Sequence, residues 1–236
     1  MQLPPEFQLF LLAVFFPGQP PETQMPRNAP AVEIVEACAE AMGGWERIRS
    51  LETVAFDYPP HAGGPPVEWE ILVPNKVRRE KEGEFILLFD GSKAGFLEGP
   101  WEKKETSPDP GILPEAQWGV MELDLAPYLP AFFHLPWKSD GYGTSGDSRT
   151  HLIRVTFPLG GVAIYHIDAE IFLPVQIDFP QHDFSMYLGD FRDVGGILLP
   201  HRFTPTADPT RATVIENVRV DPDIDPARFV FPPGFG

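Results

Sequence analysis

The chain of 236 residues has one cysteine, Cys38. A single thiol excludes an internal disulfide framework and a thiolate zinc cluster. Basic residues are scarce: 18 Lys and Arg against 34 Asp and Glu leave a net charge of −16. That balance excludes nucleic acid as a partner, because phosphate binding needs a basic face that releases counterions. It also excludes broad docking on anionic headgroups. No stable transmembrane span is expected. The apolar stretch Phe7–Phe16 is interrupted by one Gln and is too short to cross a bilayer. Signatures of catalysis are missing too. There is no G-x-S-x-G, and the Gly pairs at 43–44, 63–64, 160–161 and 195–196 lack the lysine of a phosphate loop. The reading is a non-enzyme without cofactor or bound metal.

What is present describes a β-rich globular chain. Hydrophobic residues make up 43%, enough for a sizeable core, and 19 are Phe. The 29 Pro and 21 Gly are spread along the chain rather than massed in one tract. This is the pattern of many turns between short strands.

Phe7–Phe16 has the length of a signal-peptide core, and Pro17, Gly18, Pro20, Pro21, Pro26 and Pro30 follow as a spacer. Residues 1–30 are therefore read as a signal-like segment and a Pro-rich linker. The protein is expected in the periplasm or otherwise exported. No Lys or Arg precedes the apolar stretch, and no clear A-x-A site follows it. Glu36 stands where a lipoprotein box needs a small or apolar residue, so Cys38 reads as a core thiol.

Residues 31–236 are read as one domain. Val32, Val35, Ala39 and Met42 recur at helical spacing, with Glu33, Glu36 and Glu40 on the other side, and Gly43-Gly44 ends the helix. Strands follow. Val67, Trp69, Ile71 and Val73 share one face, and Glu68 and Glu70 share the other, read as solvated. Phe85, Leu87 and Phe89 oppose Ile86 and Leu88, as in a strand covered on both sides. Asp90-Gly91 is a hairpin turn. A helical insertion is expected over about 112–137, with three prolines breaking its second part, and a Gly/Ser/Asp loop over 139–148. From His151 to Val220 six more strands alternate with turns, and short connections make neighbours antiparallel.

The motifs along these strands resemble a known family. Tyr165-His-Ile-Asp-Ala-Glu-Ile-Phe-Leu-Pro-Val-Gln-Ile and Asp190-Phe-Arg-Asp-Val-Gly-Gly-Ile-Leu-Leu-Pro-His-Arg-Phe are similar to consecutive strand pairs of the outer-membrane lipoprotein-sorting proteins, the LolA/LolB-like fold. Ala41-Met-Gly-Gly-Trp-Glu-Arg-Ile-Arg-Ser-Leu resembles the opening of that family, and Thr213–Pro233 its closing strand and tail. The resemblance covers residues 31–58 and 151–233. It implies an α+β fold: a curved antiparallel β half-barrel, here of roughly eleven strands, with helices closing the concave face. It also implies an extracytoplasmic carrier or binding protein for lipid, lipoprotein acyl chains or another apolar ligand. The alternative is a non-catalytic envelope scaffold that holds an envelope protein partner on the sheet surface.

A ligand cavity in such a half-barrel needs large apolar side chains pointing inward with few charges among them. Phe56, Trp69, Ile71, Phe85, Leu87, Trp118, Phe132 and Phe133 are the candidates. His166 and Asp168, two apart on a strand, could reach one ion, but no third ligand is evident.

Overall fold

The computed structural model describes residues 29–59, 65–98, 111–112, 136–157, 160–206 and 209–233. Two helices open it: α1 (Ala29–Ala41) and α2 (Trp45–Arg49). The first run of strands is β1 (Thr53–Tyr58), β2 (Val67–Leu72), β3 (Lys76–Lys81), β4 (Phe85–Phe89), β5 (Ala94–Glu98) and β6 (Gly111–Ile112). The second is β7 (Trp137–Ser145), β8 (Ser148–Thr156), β9 (Val162–Asp168), β10 (Pro174–Phe179), β11 (Phe184–Val194), β12 (Ile197–Pro205), β13 (Thr213–Val214) and β14 (Glu216–Val220).

All pairings are antiparallel, and they fall into two seven-stranded sheets rather than one. Sheet A has the order β14-β1-β2-β3-β4-β5-β6, and sheet B the order β13-β12-β11-β10-β9-β8-β7. The sheets meet in the C-terminal chain. Thr213–Val214 pairs with β12, Ile215 donates its N–H to the His201 carbonyl at 2.8 Å, and Glu216–Val220 then pairs with β1. The chain thus changes partner sheet across a single residue. The described strands number fourteen against the roughly eleven expected. Two of them, β6 and β13, are two-residue pairings, and β7 forms where Gly, Ser and Asp suggested a loop. There the partner decides: Trp137–Ser145 pairs with β8 along its length, with a bulge at 139–141 that absorbs the extra residue. The insertion expected over 112–137 lies, apart from its two ends, outside the described residues. Both ends, Ile112 and Trp137, are strand.

One core lies between the sheets. Ile34, Val35, Cys38 and Ala39 of α1, and Met42 just after it, bury their side chains in it, while Glu33, Glu36 and Glu40 face water. The same cluster takes Val54, Phe56, Ile71 and Phe89 from sheet A, and Ile153, Tyr165, Ile167 and Phe203 from sheet B. Burial pushes the thiol of Cys38 and the phenol of Tyr165 far up from their ordinary values. Cys38 is therefore a small hydrophobe and not a nucleophile. The end of α1 is fixed by close backbone approach: the Leu198 N–H donates to the Met42 carbonyl at 2.8 Å, and Gly43 sits against Gly196. Among the described residues no helix is long and apolar enough to cross a membrane.

Candidate functional site

In β1 to β4 side chains alternate between faces, and cross-strand partners share a face. Phe56 opposes Trp69, Trp69 opposes Arg79, and Arg79 opposes Leu87. Val54 opposes Ile71, and Lys81 opposes Phe85. The five described candidates, Phe56, Trp69, Ile71, Phe85 and Leu87, therefore stand on one face of sheet A. It is the face turned to α1 and sheet B, because its residues join the main core. Trp118, Phe132 and Phe133 lie outside the described residues.

The five are not equivalent. Phe56, Ile71 and Leu87 are 0%, 2% and 8% exposed and belong to the packed core. Trp69 and Phe85 are half-buried and border it, as does Tyr58. The Trp69 indole stacks on Phe56 at 5.4 Å between ring centroids, and Tyr58 lies 6.2 Å away. The guanidinium carbon of Arg79 lies 3.8 Å from the Trp69 ring centre. A cation on an indole face is favourable by about 0.5–2 kcal/mol. Arg79 does not stand out in the sequence, since Lys76–Glu82 reads as a charged, alternating strand with Val77 as its main apolar anchor. Its register opposite Trp69 is what places it on the inner face.

The outer face of the same strands is polar and covered. Glu70, expected to be solvated, is buried. Its carboxylate accepts from Arg228 Nε at 2.9 Å and lies 3.5 Å from Arg78 Nε. Arg78 and Arg228 also reach Glu80, at 2.7 and 3.2 Å. Glu68 pairs with Arg219 at 2.9 Å. The correction has a long-range cause: the C-terminal segment Pro226–Phe229 crosses this face. It seats Phe229 and Phe231 beside Leu88, in a small cluster of buried residues distinct from the main core. The two-sided burial expected for β4 has this origin.

On sheet B, His166 and Asp168 do not share a ligand. The Asp168 carboxylate accepts the N–H groups of Glu170 and Ile171 and closes the β9–β10 turn. His166 lies between Thr150, whose hydroxyl is 3.2 Å from Nδ1, and Asp178, whose carboxylate is 2.8 Å from Nε2. Burial opposes ionisation of Asp178. Hydrogen bonds from Gln176, His166 and Ser185 outweigh it and hold the carboxyl below its ordinary value. This Thr–His–Asp series has the order of a nucleophile relay, but Thr150 has no solvent exposure and substrate has no approach to it. It ties β8, β9 and β10 together.

An open depression of about 660 Å³ is lined by Glu40, Trp45, Glu46, Arg47 and Ser50 with Gly43 and Gly44. Arg47 is already engaged there by the Gly195 carbonyl, Ser50 and Asp221. The depression shares no residue with the inner face of sheet A.

No family model and no curated protein matches the chain. Among solved structures it is similar to a LolA superfamily protein from Nitrosomonas europaea, with a TM-score of 0.49 and 12% identity over 85% of this chain and 97% of that one. A DUF1329 family protein from Desulfovibrio piger gives 0.43 and 9%, over 85% and 97%. A domain assigned to the outer-membrane lipoprotein-sorting proteins, from Vibrio parahaemolyticus, gives 0.39 and 10%, over 86% and 97%. A likeness at this level does not carry a function across.

Proposed function

We propose that the protein is an exported, non-catalytic carrier of an apolar ligand, an acyl chain in particular, held on the inner face of sheet A. The observation that supports the reading is the convergence of Phe56, Trp69, Ile71, Phe85 and Leu87 on one sheet face. Its deep part is packed, and its border keeps large, half-buried rings such as Trp69 and Phe85. A border of this kind offers an alkyl chain dispersion contacts and little to hydrogen-bond. Export rests on the apolar segment at 7–16 and the proline spacer after it.

The test is to purify the full chain from its own cell envelope, extract it with organic solvent and identify the extract by mass spectrometry. The expected result is an acyl species near one equivalent, whose removal lowers the melting temperature. A protein that yields no acyl species and whose melting ignores added fatty acid would end the carrier reading.

The near-zero exposure of Phe56 and Ile71 favours a second reading, an envelope scaffold with a filled interior that binds a protein partner on its surface. Cross-linking in intact cells that captures one defined envelope protein, with no bound lipid, is the outcome that selects it.

A further inference from the structure

We propose that the tip of β7 is a proton-operated latch: protonation of His151 breaks the ring stack that holds residues 141–145 and opens the inner rim of sheet B at that edge. The device goes beyond the carrier reading and does not depend on what the interior holds.

Strand β7 is the end strand of sheet B in the described order, and the bulge at 139–141 divides it. At and beyond the bulge stand Gly141, Tyr142, Gly143, Thr144 and Ser145. Two glycines and a serine among five residues weaken the pairing, and Tyr142 is the one large side chain. It lies on the inner face opposite His151, which in turn opposes the fully buried Ile167. The Tyr142 and His151 ring centres are 4.9 Å apart, and His151 stacks on Phe172 at 6.0 Å. The guanidinium carbon of Arg149 lies 4.1 Å from the Tyr142 ring centre. The row thus runs from the core out to Tyr142, which is 61% exposed. The stack is the side-chain hold on the tip. Phe172 is kept in it against strain: its φ is +56°, a left-handed conformation uncommon for a bulky residue.

The charges around His151 give the direction of the switch. Its own strand supplies the cation Arg149. From β7 it meets the neutral Tyr142 phenol, and from β9 the side chain of Ile167. In the β9–β10 turn the Asp168 carboxylate is taken by two backbone N–H groups, and Glu170 is exposed, as is Asp147 in the β7–β8 turn. Helix α1, which packs against β7, turns Glu33, Glu36 and Glu40 to water. Among the described residues no carboxylate pairs with His151. A proton on the imidazole therefore adds a second cation beside Arg149 in half-buried surroundings. The faces of Tyr142 and Phe172 attract such a charge, yet burial and Arg149 hold His151 below its ordinary value. Released from the stack, the imidazole returns to about 6.5. The open form binds the proton more tightly, so the open fraction rises as pH falls below about 6.5.

The experiment is amide exchange of the full chain at about pH 7.5 and about pH 5.5, read by NMR, with each rate divided by the intrinsic rate at that pH. The amides of 142–145 that bond to β8 are expected to lose protection at least about threefold at the lower pH, while those of β9 and β10 hold theirs. His151→Phe keeps a ring in the stack and removes the proton, and its tip is expected to be equally protected at both pH values. Arg149→Met removes the neighbouring cation and is expected to shrink the effect. Equal protection of the wild-type tip at the two pH values would overturn the latch. A pH effect that survives in His151→Phe would assign the switch to another group and overturn it as well. Should His151→Phe fail to fold, the ring signals of His151 in the wild type decide. Tip opening whose midpoint departs from the His151 titration refutes the proposal, and a shared midpoint supports it.

Discussion

Truncating Phe229 to alanine tests whether the C-terminal segment is a separate clamp on the outer face of sheet A. The Phe229 ring has no solvent exposure and packs against Leu88, also fully buried, and Phe231. Phe-to-Ala changes in cores cost about 3–5 kcal/mol, with the value set by how far the site collapses. Here the cluster has three buried members and lies beneath a short surface segment, so partial collapse is easy and the low end, about 3 kcal/mol, is expected. For a chain of this size that loss lowers the melting temperature by roughly 6–12 °C. Urea denaturation followed by circular dichroism measures the free energy, and amide exchange locates it. Amides of 226–231 and of β4 should lose protection first, while α1 and β9, in the other core, keep theirs up to global unfolding. Arg228→Met gives the comparison. That side chain is 38% exposed, so screening limits its ion pairs with Glu70 and Glu80 to about 1 kcal/mol or less, and its effect should fade in salt. A loss below about 1 kcal/mol for Phe229→Ala, or an equal loss of protection in both cores, would refute the division into two clusters.

The carboxyl of Asp178 is held below its ordinary value in the fold, so its contribution to stability is present above about pH 4 and is lost as pH falls through its folded value. Asp178→Asn should therefore flatten the acid limb of a stability–pH curve and leave the neutral-to-alkaline limb parallel to wild type, as read by urea midpoints from pH 7 downward; an unchanged acid limb would contradict the hydrogen-bond set around it. Gly43 has φ +127°, and a Cβ there would overlap the Gly196 carbonyl oxygen. Gly43→Ala should leave little soluble protein, whereas Gly189→Ala, with nothing within 4 Å of the added carbon, should melt within about 2 °C of wild type.

Features set by neighbours in the chain are legible in the sequence. The face of α1 follows from the spacing of Val35, Ala39 and Met42, and Gly43 stops the helix because only glycine tolerates that backbone and that contact. The turn after β4 follows from Asp90, whose carboxylate accepts the N–H groups of Ser92 and Lys93. Features set by distant strands were hidden. His166 pointed to Asp168, two residues on, because strand periodicity puts them on one face. The bond goes instead to Asp178 on the neighbouring strand, since Asp168 is consumed by its own turn. Strand β7 could not be seen because its residues have low strand propensity and only pairing with β8 orders them.

The inner face of sheet A shows the same division within a single site. The period of two sorts Trp69 and Ile71 from Glu68 and Glu70, so the apolar set was legible strand by strand. Which of β3's residues joins that set depends on register, and a slip of one would exchange Arg79 for Arg78. That exchange would be costly on both faces. Val77, fully buried in the core, would turn to the outer face, and Glu80 would leave its arginines for the apolar inner face. Val77 and Glu80, each suited to one face only, therefore help hold β3 in register.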